Sequence, residues 1–152
     1  MQIITDSREQ LRLWDATLVK KLVVGDYTTK KLETSFIVER KSPADLYQTI
    51  LQGHARFRKE LGRAAEHQIQ LVMYVECPIA DFYAKTFPGG SARQCSGDTL
   101  RKIIYTISTR YNLEFNWCKD REHMKELIIK RFIKEEKYRA YDAEKTSSVK
   151  RV

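Results

Sequence analysis

The sequence predicts a mixed α/β domain, with a central sheet flanked by helices, and two observations lead to this class. Short strand-like runs occupy the first 41 residues, whereas apolar residues recur at helical spacing in most of the segments that follow. Between those helical segments, residues 69–75 form a near-continuous apolar run. Such a run is typical of a strand buried on both faces, as in parallel or mixed sheets covered by helices. The predicted order βββααβααβα therefore favours an α/β sandwich over a helical bundle or a barrel.

Three strands are predicted in the first part of the chain. Residues 2–5 form an opening strand that ends at Asp6, and residues 16–29 form a second strand whose end delivers Asp26. Residues 34–41 form the third strand, after a hairpin-like turn. This arrangement places two acidic side chains at strand ends.

A helix is predicted to begin directly after the third strand. Ser42 is a favourable N-cap, Pro43 suits the first helical position, and Asp45 stands three residues after the cap, as in a capping box. Residues 55–66 form a second, highly charged helix. Capping gives Asp45 a structural role that is compatible with a place in an active site.

The second half of the chain is predicted to combine helices with two more strands, the first of them at residues 69–75. The elements after that strand are a short helix, a longer helix, an edge strand and a final long helix, at residues 78–87, 98–111, 113–117 and from 120 onward. We expect residues 1–140 to form a single domain. We expect the charged residues 141–152 to form a disordered tail.

The composition indicates a folded protein with a basic surface. The 152 residues include 28 Lys and Arg against 20 Asp and Glu, which gives a net charge of +8. A basic balance favours an anionic partner such as nucleic acid or a membrane surface. No segment approaches 18 continuous apolar residues, so we expect no membrane span. The three widely spaced cysteines do not indicate a zinc site, and we expect a cytoplasmic location.

Asp26, Glu39 and Lys41 form the constellation on which the functional prediction depends. Glu39 and Lys41 are two apart at the end of a predicted strand, so their side chains point to the same face and that of Arg40 to the other. Buried charges are costly unless they are paired or bind a metal. Carboxylate oxygens suit Mg²⁺ or Mn²⁺, which would activate water and neutralise a phosphate, while Lys41 assists the water. Taken alone, the same residues could be a turn aspartate and an ordinary pair on an exposed strand.

Further motifs surround this constellation. Residues 6–9 read Asp-Ser-Arg-Glu, residues 24–27 read Val-Gly-Asp-Tyr, and residues 38–46 read Val-Glu-Arg-Lys-Ser-Pro-Ala-Asp-Leu. In this order the motifs closely resemble the XPF-type, Hef-like structure-specific endonuclease domain with its ERKxxxD core. The similarity covers residues 2–135. It implies a restriction-endonuclease-like fold of the PD-(D/E)XK class, in a compact, stand-alone version from a bacterial cell or a phage-infected host.

The resemblance also implies a role for each matching position. The metal ligands would be Asp26, Glu39 and Asp6, and the other catalytic residues would be Lys41, Arg8 and Arg40. The supporting residues would be Glu9 and Asp45, with Arg8 and Glu9 in the hydrogen-bond network of the metal site or in contact with phosphate. Candidate DNA contacts after the first helix are His54, Arg56 and Arg58.

The function expected from these residues is metal-dependent endonucleolytic cleavage of DNA at flaps, forks or other branched structures, in repair or recombination. The nearest alternatives are a Holliday-junction resolvase or a nicking nuclease with the same core. A non-catalytic DNA-binding subunit of this fold is an alternative of a different class, and net charge alone would also suit binding to RNA or to a membrane surface. Family members commonly dimerise through their final helices, so a homodimer is expected as well.

Overall fold

Six strands of the described residues form one mixed sheet, and helices cover both of its faces. The computed structural model describes residues 1–52, 54–92 and 94–150, apart from the side chains of His54 and residues 148–150. The strands β1 to β6 are Ile3–Asp6, Leu18–Lys20, Tyr27–Thr29, Phe36–Lys41, Gln70–Val75 and Glu114–Trp117. The helices α1 to α5 are Pro43–Leu51, His54–Glu66, Ile79–Ala84, Gly97–Tyr111 and Arg121–Lys150, with a short 3-10 helix at Gly90–Ala92. The predicted fold class is confirmed.

The strands lie in the order β2-β1-β3-β4-β5-β6. Strand β3 is antiparallel to both of its neighbours, β1 and β4, whereas β5 is parallel to both β4 and β6. Residues 71–75 of β5 are all buried, because helices cover both faces of the sheet at this interior position. The apolar run of residues 69–75 is therefore explained, and β6 lies at the sheet edge, as predicted.

Alternation along β4 divides its side chains between two packed layers. Ile37 packs with residues of α2 on one face, whereas Phe36 and Val38 pack with α5 on the other. The same alternation continues beyond the core. It directs Glu39 and Lys41 toward the layer that contains α1 and α2, and Arg40 toward the opposite layer.

The predicted second strand, residues 16–29, is divided in the structure into β2 and β3. Gly25 adopts a φ of +72°, which turns the chain sharply between the two strands. Buried Leu22 and Val24 in this segment pack on the core outside the sheet, which explains why their apolar character resembles a strand. Asp26 consequently lies at the entry to β3 and not at the end of a strand.

The C-terminal segment also differs from the prediction. Residues 141–152 were expected to be disordered, but α5 continues through Lys150, and residues 151–152 lie outside the described part. Residues 139–145 are rich in Arg, Ala, Glu and Lys, which favour a helix without burial, so the lack of apolar residues does not end it. Within the described chain, no helix combines the length and apolarity that a membrane crossing would need.

Candidate active site

The turn before β3 places Asp26 against the end of β4. A Cβ atom on Gly25 would lie 2.5 Å from Cγ2 of Ile37, so the close approach requires glycine. The Asp26 N–H donates to a backbone carbonyl of β4 at 2.8 Å. Its carboxylate Oδ2 accepts a hydrogen bond from the Arg40 N–H, also at 2.8 Å. Backbone groups of Val38 and Arg40, on either side of Glu39 in β4, thereby hold Asp26 next to Glu39.

Asp26 and Glu39 form a largely buried acidic pair, in which Glu39 is buried and Asp26 is partly exposed. The Glu39 residue is only 8% exposed, and its carboxyl group is in hydrogen-bonding contact with that of Asp26. Burial, followed by the negative charge of Glu9, raises the pKa of Asp26 to about 7. Burial and the charge of Asp26 raise the pKa of Glu39 well above its ordinary value. Two carboxyl groups can share such a contact only if a proton or a cation neutralises part of their charge.

Lys41 lies on the same side of β4 as this pair, at the mouth of a cleft. Its positive charge lowers the pKa of Glu39, which partly offsets the effect of burial, and its Nζ donates to Oγ1 of Thr49 at 3.4 Å. The cleft has a volume of about 430 Å³ and lies between α1 and α2. Its polar lining includes Lys41, Asp45, Gln48, Thr49, Gln52 and Arg56. A phosphate in the cleft would therefore meet an ammonium group beside two carboxyl groups.

Asp6, expected as a metal ligand, has its carboxylate engaged by other groups. Arg8 binds it through Nε at 2.9 Å and Nη2 at 3.1 Å, and the backbone N–H groups of Arg8 and Leu22 also donate to it. Burial alone would raise the pKa of Asp6, but these hydrogen bonds outweigh it and keep the pKa below its ordinary value. Four donors saturate two carboxylate oxygens. Asp6 therefore anchors the loop after β1, and Arg8 holds it there.

Arg40, expected as a catalytic residue, points away from the acidic pair, as alternation requires. Its guanidinium group donates to both carboxylate oxygens of Glu9, at 3.2 and 3.3 Å, and to Glu76 at 2.8 Å. The Arg40 side chain is only 12% exposed. Arg121 of α5 lies 3.5 Å from the same Glu76 carboxylate. Arg40 and Glu9 therefore join the loop after β1 to the opposite layer of the domain.

The remaining predicted residues are distributed around the cleft. The N–H of Asp45 donates to the Ser42 side chain at 3.1 Å, so Ser42 caps α1 as predicted, and Asp45 also lines the cleft. Arg56 lines the cleft as well. Arg58 instead borders a separate groove with Arg110, away from Lys41. The side chain of His54 lies outside the described part.

Glu60 of α2 is a site residue that sequence reasoning missed. Its Oε1 accepts a hydrogen bond from the Gly25 N–H at 3.2 Å, and its carboxyl group contacts that of Glu39. In the sequence, the position of Glu60 is indicated only by Phe57 and Leu61, which lie on either side of it and pack on the core. They show that this part of the helix faces the domain, but not that Glu60 reaches an active site. No short motif connects Glu60 to Asp26.

The chemistry of these oxygen donors fits a divalent metal ion. Asp26 and Glu39 are buried carboxyl groups whose mutual repulsion a hard cation would relieve. Among the described residues, no three His, Cys, Asp or Glu side chains form a complete preformed metal cage. Mg²⁺ commonly uses only one or two carboxylates and fills its other positions with water and substrate phosphate. Asp26 and Glu39 meet that requirement.

Comparison with known proteins places this site in a family. The family model described as the ERCC4 domain matches residues 5–130. The structure described as XPF from Aeropyrum pernix matches with a TM-score of 0.67 and 21% identity, over 95% of this chain and 69% of that one. XPF from the same organism in complex with DNA matches with a TM-score of 0.62 and 22% identity, over 86% of this chain and 62% of that one. No curated protein matches the chain at a significant level.

The structural similarity confirms the restriction-endonuclease-like fold predicted from the motifs. The family match spans the loop after β1, the Gly25 turn, the strand that carries Glu39 and Lys41, and most of the helical layers. The chain belongs to the ERCC4 domain family, whose members are XPF-type nuclease domains.

Proposed function

We propose that this protein is a divalent-metal-dependent DNA endonuclease that cleaves at flaps, forks or other branched structures. The observation that carries the proposal is the buried Asp26–Glu39 pair with Lys41 on the same side of β4, beside a cleft open to solvent. Membership of the ERCC4 domain family supports nuclease chemistry. The similarity to an XPF structure in complex with DNA, together with the net charge of +8, supports DNA as the substrate.

In this proposal Asp26 and Glu39 hold the ion, and Lys41 holds the phosphate. A bound Mg²⁺ or Mn²⁺ would supply Lewis acidity and a water of lowered pKa. Asp26 is fixed by the Arg40 N–H, so its carboxylate needs little rearrangement to bind the ion. Lys41 directs its ammonium group toward the cleft, where it can orient the phosphate or the attacking water. Arg8 keeps 58% of its side chain exposed while it binds Asp6, which leaves it accessible to a neighbouring phosphate.

A cleavage panel tests the proposal. Flap, fork, four-way junction, nicked, duplex and single-stranded DNA are each incubated with Mg²⁺, with Mn²⁺ or with EDTA. The wild type should cut branched substrates only when an ion is present, whereas Asp26→Asn and Lys41→Ala should lose at least a hundredfold in rate. The exposed residues Asp142 and Lys30 provide matched controls, since Asp142→Asn and Lys30→Ala make the same charge changes away from the site.

Each alternative predicts a different result in the same panel. Uniform cutting of plain duplex would contradict the preference for branched DNA and favour a nicking nuclease. Selective cutting of the four-way junction would favour a resolvase. DNA binding of equal strength by wild type and Asp26→Asn, without cleavage by either, would identify a non-catalytic subunit. The homodimer and the cytoplasmic location stay predictions, and sedimentation of the purified protein tests the first.

A further inference from the structure

Glu60 reaches the acidic pair from a helix that otherwise carries surface charges. Its neighbours Arg58, Lys59 and Arg63 are exposed, whereas Glu60 is only partly exposed. The hydrogen bond from the Gly25 N–H to Oε1 directs the Glu60 side chain toward the turn that holds Asp26. Since that bond uses one oxygen, the carboxylate keeps a second oxygen for another partner.

The contacts of Glu39 are the independent observation that points to a cation. The Glu39 residue is only 8% exposed, and the carboxyl groups of Asp26 and Glu60 lie beside its own carboxyl group. Three carboxyl groups thus meet where folding alone would favour a neutral or basic partner. The nearby Arg8 binds Asp6, and Lys41 is directed to Thr49. Neither cation forms an ion pair with Glu39 among the described contacts.

The position of Glu60 also connects the acidic pair to the cleft. Glu60 lines the cleft together with Lys41, so an ion near Glu60 would lie next to a phosphate held by Lys41. Glu60 is among the residues that line the cleft, whereas Asp26 and Glu39 are not, although Asp26 is partly exposed like Glu60. A hydrated ion that enters from the cleft would therefore meet Glu60 first.

We propose that Glu60 is a third metal-binding carboxylate of this site and helps Asp26 and Glu39 to hold the divalent ion. This inference rests on the proposed function. Because the described residues form no preformed three-carboxylate cage, Glu60 reaches the ion by a small side-chain movement or through a bound water. The Gly25 contact holds the residue close enough for either route.

Mn²⁺ binding to the purified 152-residue protein, measured by electron paramagnetic resonance of the free ion, tests the inference without any cleavage assay. Glu60→Gln keeps an oxygen that can accept the Gly25 hydrogen bond but removes the charge. The expected result is an increase in Kd of about tenfold or more. Glu66→Gln on the same helix is the matched control, because Glu66 is exposed and its loss makes the same change in net charge. Glu60→Asp, which keeps the carboxylate, should recover part of the affinity.

The outcomes separate the inference from the proposed function. If wild type binds Mn²⁺, Asp26→Asn does not, and Glu60→Gln binds as tightly as Glu66→Gln, the role of Glu60 is refuted while the metal site stands. An equal loss in both glutamine variants would also refute it, since net charge would then explain the effect. If wild type binds no Mn²⁺, the proposed function fails and the inference fails with it. Melting temperatures in EDTA show whether Glu60→Gln is folded, and Glu60→Asp serves as the deciding variant if it is not.

Discussion

Replacing Asp26 with Asn should stabilise the metal-free protein at neutral and alkaline pH while it abolishes metal binding. The pKa of Asp26 is raised from 3.8 to about 7, mainly by burial. The folded state therefore binds a proton more tightly than the unfolded state, and stability must fall as the pH rises from about 4 to about 7. Asn has no charge to bury, and its side-chain oxygen can still accept the hydrogen bond from the Arg40 N–H.

The magnitude follows from the difference in pKa. The difference between a pKa of 3.8 and one of about 7 corresponds to about 4 kcal/mol at pH 8, and this is an upper limit. Asp26 retains partial exposure, so water screens part of the cost and we expect about 2 kcal/mol. For a domain of this size, that corresponds to an increase in Tm of about 4 to 8 °C.

Thermal melts followed by circular dichroism between pH 4 and pH 8, in EDTA, provide the assay. The Tm difference between Asp26→Asn and wild type should be small at pH 4, grow up to pH 7 and then level off. Added Mn²⁺ should stabilise the wild type and leave the variant unchanged, because binding to the folded state adds stability by mass action. A variant that melts at or below the wild-type temperature at pH 8, or a difference that does not change with pH, would refute the reasoning.

Three further substitutions test the framework around the site. Arg40→Ala removes a side chain that is only 12% exposed, so that Glu9 loses its guanidinium partner and Glu76 keeps only Arg121, and urea unfolding should show a loss of about 3 kcal/mol. Gly25→Ala combines a positive φ with a 2.5 Å contact to Ile37, and should lower the free energy of unfolding by more than about 1 kcal/mol and also weaken Mn²⁺ binding. Tyr27→Phe removes the hydroxyl that accepts the buried Leu13 N–H at 2.9 Å, which should cost about 1 to 3 kcal/mol in the same urea assay without changing metal affinity. Unchanged stability in any of these variants would contradict the contact assigned to that residue.

Much of this fold was predictable because strand alternation and helix capping depend only on residues that are close together in the sequence. Alternation along β4 separates Glu39 and Lys41 from Arg40 wherever the strand is placed, and the structure shows that separation. The Ser42 cap depends on backbone groups three residues away, so it too was visible in the sequence. The division of residues 16–29 into two strands was not visible, because buried residues in a turn have the same apolar character as residues in a strand.

The partners of charged side chains could not be predicted in the same way. The loop after β1 and the strand β4 were recognised as neighbouring motifs, but the sequence could not show which side chain meets which. In the structure Asp6 is paired with Arg8, and Arg40 with Glu9 and Glu76. Arg8 is only two residues from Asp6, but the Arg40 pairs are long-range and depend on how β1, β3, β4 and β5 align in the sheet.

By itself, then, the sequence determined the class of fold, the order of its main elements and the acidic pair with its lysine. Each of these depends on spacing along the chain or on motifs that resemble a family. Tertiary structure alone decided which groups Asp6 and Arg40 bind, and that Glu60 of α2 lies beside the acidic pair. The physical reason is that the energy of a charge depends on burial and on neighbours in space, which packing brings together across long stretches of chain.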